Sequence, residues 1–209
     1  MLLGPPASGK GTIADRLQHG FGLAVVSPGC LLRAEKAAGT ELGREAGELT
    51  SRGQLVSDSI VNTLVYKWLG AQSETGFVFD GYPRTIGQAE ALSEMLNETG
   101  MPLEKVVLLE ASDEELLRRV ENRATCANCG NIVRVGLHVM RLDDSCPRCG
   151  GALARRTDDT AETLQKRLVE YRDKTEPLVQ HYEDQDLLVR VRTEAAPDEV
   201  FQEVIKSLA

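Results

Sequence analysis

The feature that most constrains the fold lies at residues 4–12, where the chain reads GPPASGKGT. This stretch fits the pattern G-x-x-x-x-G-K, and it lies between the apolar pair Leu2-Leu3 and an amphipathic segment that begins at Ile13. Glycines let consecutive backbone N–H groups turn towards one anion, and the helix that follows directs its positive end to the same point. The order strand, loop and helix therefore predicts a phosphate-binding loop rather than an ordinary Gly/Pro turn.

Within this loop, Lys10 supplies a mobile cation for the outer phosphates of a nucleotide. The last position of the pattern usually holds Ser or Thr, whereas here Gly11 precedes Thr12. The predicted phosphate-binding residues are Gly4, Pro5, Pro6, Ala7, Ser8, Gly9, Lys10, Gly11 and Thr12.

Along the rest of the chain, short apolar runs alternate with helical patterns, which predicts a parallel sheet covered by helices on both faces. The candidate strands are residues 1–3, 23–26, 77–80, 105–110 and 187–191. The first of these is a stub, or the natural chain starts further upstream; the sequence leaves both readings open. We predict an α/β fold of the P-loop NTPase type, with a five-stranded parallel sheet flanked by helices.

Two segments interrupt the alternation and are predicted to be inserts. Residues 27–56 are helical, polar and punctuated by glycine, and residues 125–156 carry paired cysteines. The core domain then comprises residues 1–26, 57–124 and 157–209.

The composition limits the classes of function. The chain has 209 residues, of which 42% are apolar, and a net charge of −8. This acidity argues against a general binder of nucleic acids or membrane surfaces, which needs a basic face. There is no apolar run of about 18 residues, as a membrane span requires, and no signal peptide precedes the loop. We therefore expect a cytoplasmic protein.

The paired cysteines predict a structural zinc site. Two C-x-x-C pairs supply four thiolates, enough to complete a closed tetrahedral site without His138, which lies between the pairs. An insert of this size has little apolar surface of its own, and structural zinc contributes about 10–16 kcal/mol of folding free energy. The predicted ligands are Cys126, Cys129, Cys146 and Cys149.

A zinc ribbon of this spacing is also typical of nucleic-acid-binding modules. Residues 125–156 contain no Phe, Trp or Tyr on which a base could stack, and the chain is acidic. Both observations count against this alternative.

Charged residues follow the predicted strands at the edge where open α/β sheets bind ligands. Asp80 ends an apolar strand, as does the carboxylate that holds Mg²⁺, directly or through water, in phosphate-loop proteins. Arg84 leaves the same turn, and Arg33 lies one turn into the helix after the second strand. These two arginines could converge on a second phosphate. Thr85 is the expected N-cap of a helix at residues 86–96.

More arginines lie on later predicted helices. Arg119 and Arg123 are four residues apart in a helix predicted at residues 113–123, so they share a face and point to one site. Glu115 and Glu121 offer partners for the alternative, in which both arginines are solvated surface charges.

Taken together, four segments resemble adenylate kinases of the long, zinc-lid type, within the nucleoside monophosphate kinases. They are the loop at residues 4–12, PGCLLR at 28–33, DGYPRT at 80–85 with Gln88, and RTDD at 156–159. The resemblance spans nearly the whole chain, and D-G-Y-P-R-T is a highly specific motif. It implies a core, an insert that binds the nucleoside monophosphate and a lid, and the reversible reaction of MgATP with AMP to give two ADP.

The resemblance also implies roles for individual residues. ATP would be bound by the loop together with Arg119 and Arg123. AMP would be bound by Pro28, Arg33, Gln54, Leu55, Val56, Gly81, Arg84, Gln88, Arg156 and Arg167. The residues expected to carry catalysis are Lys10, Asp80, Arg84, Arg119, Arg123, Arg156 and Arg167. The implied cofactors are Mg²⁺ with ATP and one structural Zn²⁺, and we expect a monomer whose partners are ATP, ADP and AMP, without nucleic acid or membrane.

Departures from the family pattern leave alternatives open. Pro28 and Cys30 stand where relatives usually carry Thr and Asp, so the acceptor could be GMP, CMP or UMP. Ala7 replaces a frequent glycine, which is a mild change if its backbone angles suit alanine. A phosphate-loop ATPase with water as the acceptor would leave Arg33, Arg84 and Gln88 without a substrate.

Overall fold

The computed structural model describes residues 1–52, 55–70, 76–156 and 158–208. Its strands are β1 (Leu2–Leu3), β2 (Ala24–Val26), β3 (Phe77–Phe79), β4 (Val106–Glu110), β5 (Arg123–Cys126), β6 (Ile132–Arg134), β7 (Leu153–Ala154) and β8 (Leu188–Arg192). Its α-helices are α1 (Lys10–Phe21), α2 (Pro28–Ala37), α3 (Glu41–Ser51), α4 (Asp58–Gly70), α5 (Ile86–Thr99), α6 (Asp113–Glu121), α7 (Ala161–Glu170), α8 (Pro177–Glu183) and α9 (Pro197–Leu208). A π-helical turn, Tyr171–Thr175, joins α7 to α8.

The core strands run parallel in two ladders. One has the order β1-β4-β8, with Leu2 opposite Val107, and the other pairs β2 with β3. Among the described residues, one isolated bridge, between Leu2 and Asp80, links the two ladders. Each of the five core strands lies within one residue of its predicted bounds, but they form two ladders joined by one bridge rather than one continuous five-stranded ladder.

Strand β4 is covered on both faces, as expected for a central parallel strand. Successive side chains alternate between faces. Val107 and Leu109 pack in a cluster with residues of α1 and α9, and Val106 and Leu108 in a cluster with residues of α5 and α8. The core therefore has helices on both sides of the sheet, and the loop after β1 lies at its carboxyl edge.

The first insert is a helical hairpin of α2 and α3, packed closely at Gly43. A Cβ atom there would lie nearer than 3.0 Å to the carbonyl carbon and oxygen of Glu35 on α2, closer than real Cβ atoms come. Thr40 caps α3, because its Oγ1 accepts a hydrogen bond from the Gly43 N–H at 3.0 Å. Only glycine fits this crossing without backbone movement.

The second insert is a small antiparallel sheet with the strand order β6-β5-β7. Its apolar core includes Ala124, Val133 and Leu153, together with two buried cysteines. The prediction that Arg119 and Arg123 share a helix face is wrong, since α6 ends at Glu121 and Arg123 begins β5. Strand pairing of Arg123 with Arg134 overrides the helical spacing.

Among the helices in the described part of the chain, none is both long enough and apolar enough to cross a membrane.

The packing at Gly43 yields a stability prediction. We expect Gly43→Ala to lower the free energy of unfolding by about 1–3 kcal/mol, because the added methyl group meets backbone atoms that cannot rotate away. Urea denaturation followed by circular dichroism measures this change. Gly20→Ala in α1 is the matched control: its added Cβ meets nothing within 4 Å, so it should be neutral or stabilise by up to about 1 kcal/mol. Equal stability of the two variants would refute the close-packing argument.

Candidate active site

A cleft of about 1170 Å³ lies between the loop after β1, the α2–α3 hairpin and the small sheet. Residues from all three segments line it. The turn after β3 and the residues Asp158 and Asp159, which precede α7, line it as well. The carboxyl ends of parallel strands therefore open into the cleft, which is where ligands bind in open α/β sheets.

The loop forms a tight cradle around Lys10. Gly4 has a φ of 141°, and a Cβ there would overlap the carbonyl oxygen of Leu109 in β4, so glycine is required. The Lys10 ammonium donates hydrogen bonds to the carbonyl oxygens of Gly4 and Pro5, both at 2.7 Å. Withdrawal from water lowers the pKa of Lys10 to about 8; Asp80 opposes this shift, and Arg84 and Arg123 add to it.

Ala7 lies in the left-handed region, with a φ of 66°. An L-residue there is less favourable than in the right-handed region by about 1–2 kcal/mol, whereas glycine is not penalised. The backbone angles at this position do not suit alanine, so Ala7 is not a mild replacement for the glycine that relatives often carry.

Several arginines gather around the cleft. The Arg84 side chain is exposed to the cleft, and its Nε donates to the Gly81 carbonyl at 2.8 Å. Loss of hydration lowers the pKa of Arg84; Asp80 opposes this, while Arg167 and Arg33 lower the pKa further. The predicted residues Arg33 and Arg167 are thus both close enough to Arg84 to disfavour its charge.

Arg156 belongs to the same group of cations. Desolvation lowers its pKa, as do Arg123 and Arg33, while Asp159 and Asp158 act in the opposite direction. Its Nε donates to Thr125 Oγ1 at 3.2 Å. Arg33 therefore influences both Arg84 and Arg156, which places the three arginines near one another.

Two carboxylates each hold one arginine of the cleft in place. Asp159, whose side chain is 1% exposed, accepts two hydrogen bonds from Arg123, one of them from Nε at 2.6 Å. Asp158 pairs with Arg167. The sequence alone had not assigned either partner, although both aspartates lie in the R-T-D-D run.

Arg119 is the most enclosed of the predicted arginines, at 8% exposed. Its Nε donates to Glu115 Oε1 at 2.6 Å, and its Nη1 donates to the Ser8 carbonyl and to Thr193 Oγ1, both at 3.0 Å. Arg119 therefore ties α6 and the segment after β8 to the back of the loop. Thr193 gave no recognisable signal in the sequence.

Asp80 lies beside the loop, opposite Gly11. A Cβ on Gly11 would be 3.5 Å from Asp80 Oδ2, so the carboxylate lies next to the start of α1. A carboxylate oxygen near the phosphate-binding loop is the kind of hard ligand that Mg²⁺ prefers. Asp80 therefore has the chemistry expected of a magnesium ligand.

Four of the predicted acceptor residues, Pro28, Arg33, Leu55 and Val56, also line the cleft. Pro28 and Val56 are buried, Leu55 is half-buried and Arg33 is exposed. Arg33 Nη2 donates to the sulfur of Cys30 at 2.9 Å. The predicted residue Gln54 lies outside the described residues.

Gln88 is held in a buried polar network and is only 2% exposed. Its Oε1 accepts from the Arg84 backbone N–H at 2.8 Å, and its Nε2 donates to Asp58 Oδ1 at 2.7 Å. Thr85 caps α5 as predicted, because its Oγ1 accepts from the Gln88 N–H. Asp58 was missed in the sequence, since nothing local relates it to a residue 30 positions away.

The four predicted zinc ligands come together in the small sheet. Their sulfur atoms all lie within 4.8 Å of one another, with 3.5 Å between Cys126 and Cys149 and 3.8 Å between Cys129 and Cys146. Sulfurs bound to one tetrahedral zinc at about 2.3 Å stand about 3.8 Å apart. The cluster therefore fits zinc. His138 is elsewhere, where its Nδ1 accepts from the Arg134 N–H.

The small sheet is joined to the core across the cleft. Arg148, between the second pair of cysteines, donates two hydrogen bonds to Asp15 on α1, one from Nη1 to Oδ1 at 3.0 Å. Ile132 Cδ1 would lie 3.5 Å from a Cβ on Gly11. The insert thus covers the loop in this conformation.

Comparison with known proteins identifies the family of the chain. Residues 2–187 match the family model described as adenylate kinase. A protein named adenylate kinase from Thermodesulfovibrio yellowstonii is 41% identical over 98% of this chain and 95% of its own length. Proteins of the same name from Methanosarcina barkeri (98% and 95% covered) and Caldicellulosiruptor bescii (100% and 97%) are 42% and 40% identical. The chain belongs to the adenylate kinase family.

Proposed function

We propose that this chain transfers the γ-phosphoryl group of ATP to AMP and forms two ADP. The observation that carries the proposal is one cleft lined by the loop cation Lys10 and by five arginines: Arg33, Arg84, Arg123, Arg156 and Arg167. Arg84 lies close enough to Lys10 to lower its pKa, so a phosphate bound by the loop and one bound by Arg84 would be neighbours. Family membership supports phosphoryl transfer between two nucleotides.

In the proposed mechanism the protein positions the two nucleotides and neutralises the charge of their phosphates. It needs no general base. The transferring phosphoryl group passes through a loose transition state with charge on its equatorial oxygens. Lys10 and the loop N–H groups would bind the phosphates of ATP, and Arg33 and Arg84 the phosphate of AMP. Cations fixed in advance stabilise the developing charge without reorganising.

The remaining arginines of the cleft would bind the transferring group. Arg123 influences Lys10, and Arg156 is influenced by both Arg123 and Arg33. We assign Arg123, Arg156 and Arg167 to the transition state. Arg119, whose donors mostly bond to protein acceptors, would act on the donor side by fixing the loop.

Mg²⁺ would accompany ATP and neutralise part of its phosphate charge. Asp80 is the residue proposed to hold it, directly or through water, and its position beside Gly11 supports this assignment.

The division into core, acceptor-binding insert and lid is part of the proposal, as is a structural zinc in the lid. A lid held by zinc and attached to α1 through Arg148 and Asp15 would exclude water, and so suppress hydrolysis of ATP. A cytoplasmic monomer without nucleic-acid or membrane partners remains a prediction.

The direct test measures ADP formation from MgATP with AMP, GMP, CMP, UMP or no monophosphate. We expect ADP to form with AMP and very little without an acceptor. ATP turnover that does not depend on a monophosphate would indicate an ATPase and contradict the proposal.

Removing the loop cation should abolish most activity. We expect Lys10→Ala to lower kcat by at least about 100-fold, because a preorganised charge at the phosphates is lost. Lys166→Ala on α7, where Lys166 forms an exposed ion pair with Glu162, is the control and should keep nearly the native rate. Thermal unfolding of both variants checks the fold, and near-native turnover by folded Lys10→Ala protein would refute the role.

Zinc removal should destabilise the lid alone. We expect one zinc per chain by elemental analysis, and a strong chelator should increase hydrogen exchange in residues 125–156 while the β1-β4-β8 ladder stays protected. The small apolar core of this insert cannot replace the binding free energy of the metal. Absence of zinc, with four thiols that react readily in the native protein, would contradict the site.

Acceptor choice should favour AMP, with Gln88 as the reader of the base. Its amide can accept from the adenine amino group and donate to a ring nitrogen, whereas guanine carries a carbonyl where adenine has the amino group. The mismatch is worth about 1–3 kcal/mol, or roughly one to two decades in kcat/KM. Specificity constants for the four monophosphates in native protein and Gln88→Ala measure this, and an unchanged preference in the variant would exclude Gln88.

A further inference from the structure

We propose that Asp58 is a positioning residue that fixes the orientation of the Gln88 amide and thereby sets the preference for adenine over guanine. This inference rests on the proposed function, because it presumes that Gln88 faces the base of the acceptor. Asp58 is the first residue of α4, and Gln88 lies in the first turn of α5.

The two helices meet through both oxygens of the Asp58 carboxylate. Oδ1 accepts from Gln88 Nε2 and Oδ2 accepts from Thr85 Oγ1, each at 2.7 Å. Thr85 Oγ1 in turn accepts from the Gln88 backbone N–H at 3.1 Å. The side chain and the backbone of Gln88 are therefore both attached, directly or through one hydroxyl, to the same carboxylate.

The chemistry of the partners determines which way the amide points. A carboxylate only accepts hydrogen bonds and the Arg84 backbone N–H only donates. Gln88 must therefore turn Nε2 towards Asp58 and Oε1 towards Arg84, as observed. The reversed amide would place an oxygen against the carboxylate and an N–H group against another N–H group.

An amide held in one orientation can discriminate between adenine and guanine. An amide that can rotate and exchange the positions of its oxygen and nitrogen cannot. In the fixed orientation, one N–H of Nε2 and one lone pair of Oε1 have no partner within the described part of the chain and are available to a ligand, in a set order. Adenine offers a donor amino group beside an acceptor ring nitrogen, and guanine offers the reverse order, a carbonyl beside a ring N–H. An amide free to turn would satisfy either base, so the selectivity depends on what prevents it from turning.

The test variant is Asp58→Asn. Asparagine keeps the shape but has one acceptor oxygen, so it cannot accept from both Gln88 Nε2 and Thr85 Oγ1 as the carboxylate does. The link from this side chain to either the side chain or the backbone of Gln88 is therefore lost. We expect the ratio of kcat/KM for AMP to that for GMP to fall about tenfold, mainly through KM, with kcat for AMP kept within about threefold. Asp113→Asn is the matched control, since Asp113 also begins a helix and pairs with exposed Arg172 far from Gln88; its ratio should be native.

A double-mutant cycle separates positioning from a general loss of structure. In a Gln88→Ala background, Asp58→Asn should leave the remaining AMP-to-GMP ratio unchanged, because the amide it orients is absent. A native ratio in Asp58→Asn, or an equal loss of selectivity in the Gln88→Ala background, would overturn the role of Asp58. Failure of the native protein to form ADP from AMP would instead refute the proposed function.

Discussion

The structure depends on holding many positive charges in one cleft of an acidic protein. The chain carries a net charge of −8, yet Lys10, Arg33, Arg84, Arg123, Arg156 and Arg167 act on one another there. Their repulsion and loss of hydration are offset by acceptors that the fold provides: loop carbonyls for Lys10, and Asp158 and Asp159 for two of the arginines. Phosphate groups are stronger acceptors than backbone carbonyls. Bound phosphates would therefore reduce the repulsion between cations that the fold already holds in place. Charges fixed before the substrate binds are the condition for preorganised catalysis.

Much of this arrangement is visible in the sequence because its signals are local. A phosphate loop, a strand that ends in Asp80, and cysteine pairs each reveal their chemistry within a few residues. The five core strands and the cap at Thr85 follow from equally short patterns. Predictions that depend on how one element packs against another are less accurate. The helical spacing predicts Arg123 on a helix, whereas its pairing with Arg134 puts it on a strand.

The residues missed in the sequence are those whose partners are distant along the chain. Asp58 meets Gln88 across 30 positions and Thr193 meets Arg119 across 74. Neither residue carries a spacing rule, because an aspartate at a helix start and a threonine after a strand have ordinary local explanations. Only the packing of α4 against α5, or of β8 beside the loop, gives them a function. Residues such as Asp58 and Thr193 fix the orientation of side chains that line the cleft. An amide or a guanidinium group binds selectively only when its orientation is fixed.

The same reasoning explains how an unfavourable backbone angle at Ala7 is maintained. The left-handed conformation of Ala7 is disfavoured locally, but the loop is held at several points around it. Arg119 donates to the Ala7 and Ser8 carbonyls from behind, and Lys10 donates to the Gly4 and Pro5 carbonyls from within. Within the loop, the Ser8 N–H also donates to the Pro5 carbonyl at 3.2 Å. Hydrogen bonds on both sides of Ala7 therefore maintain its unfavourable backbone angle, and they involve the same lysine that is predicted to bind phosphate.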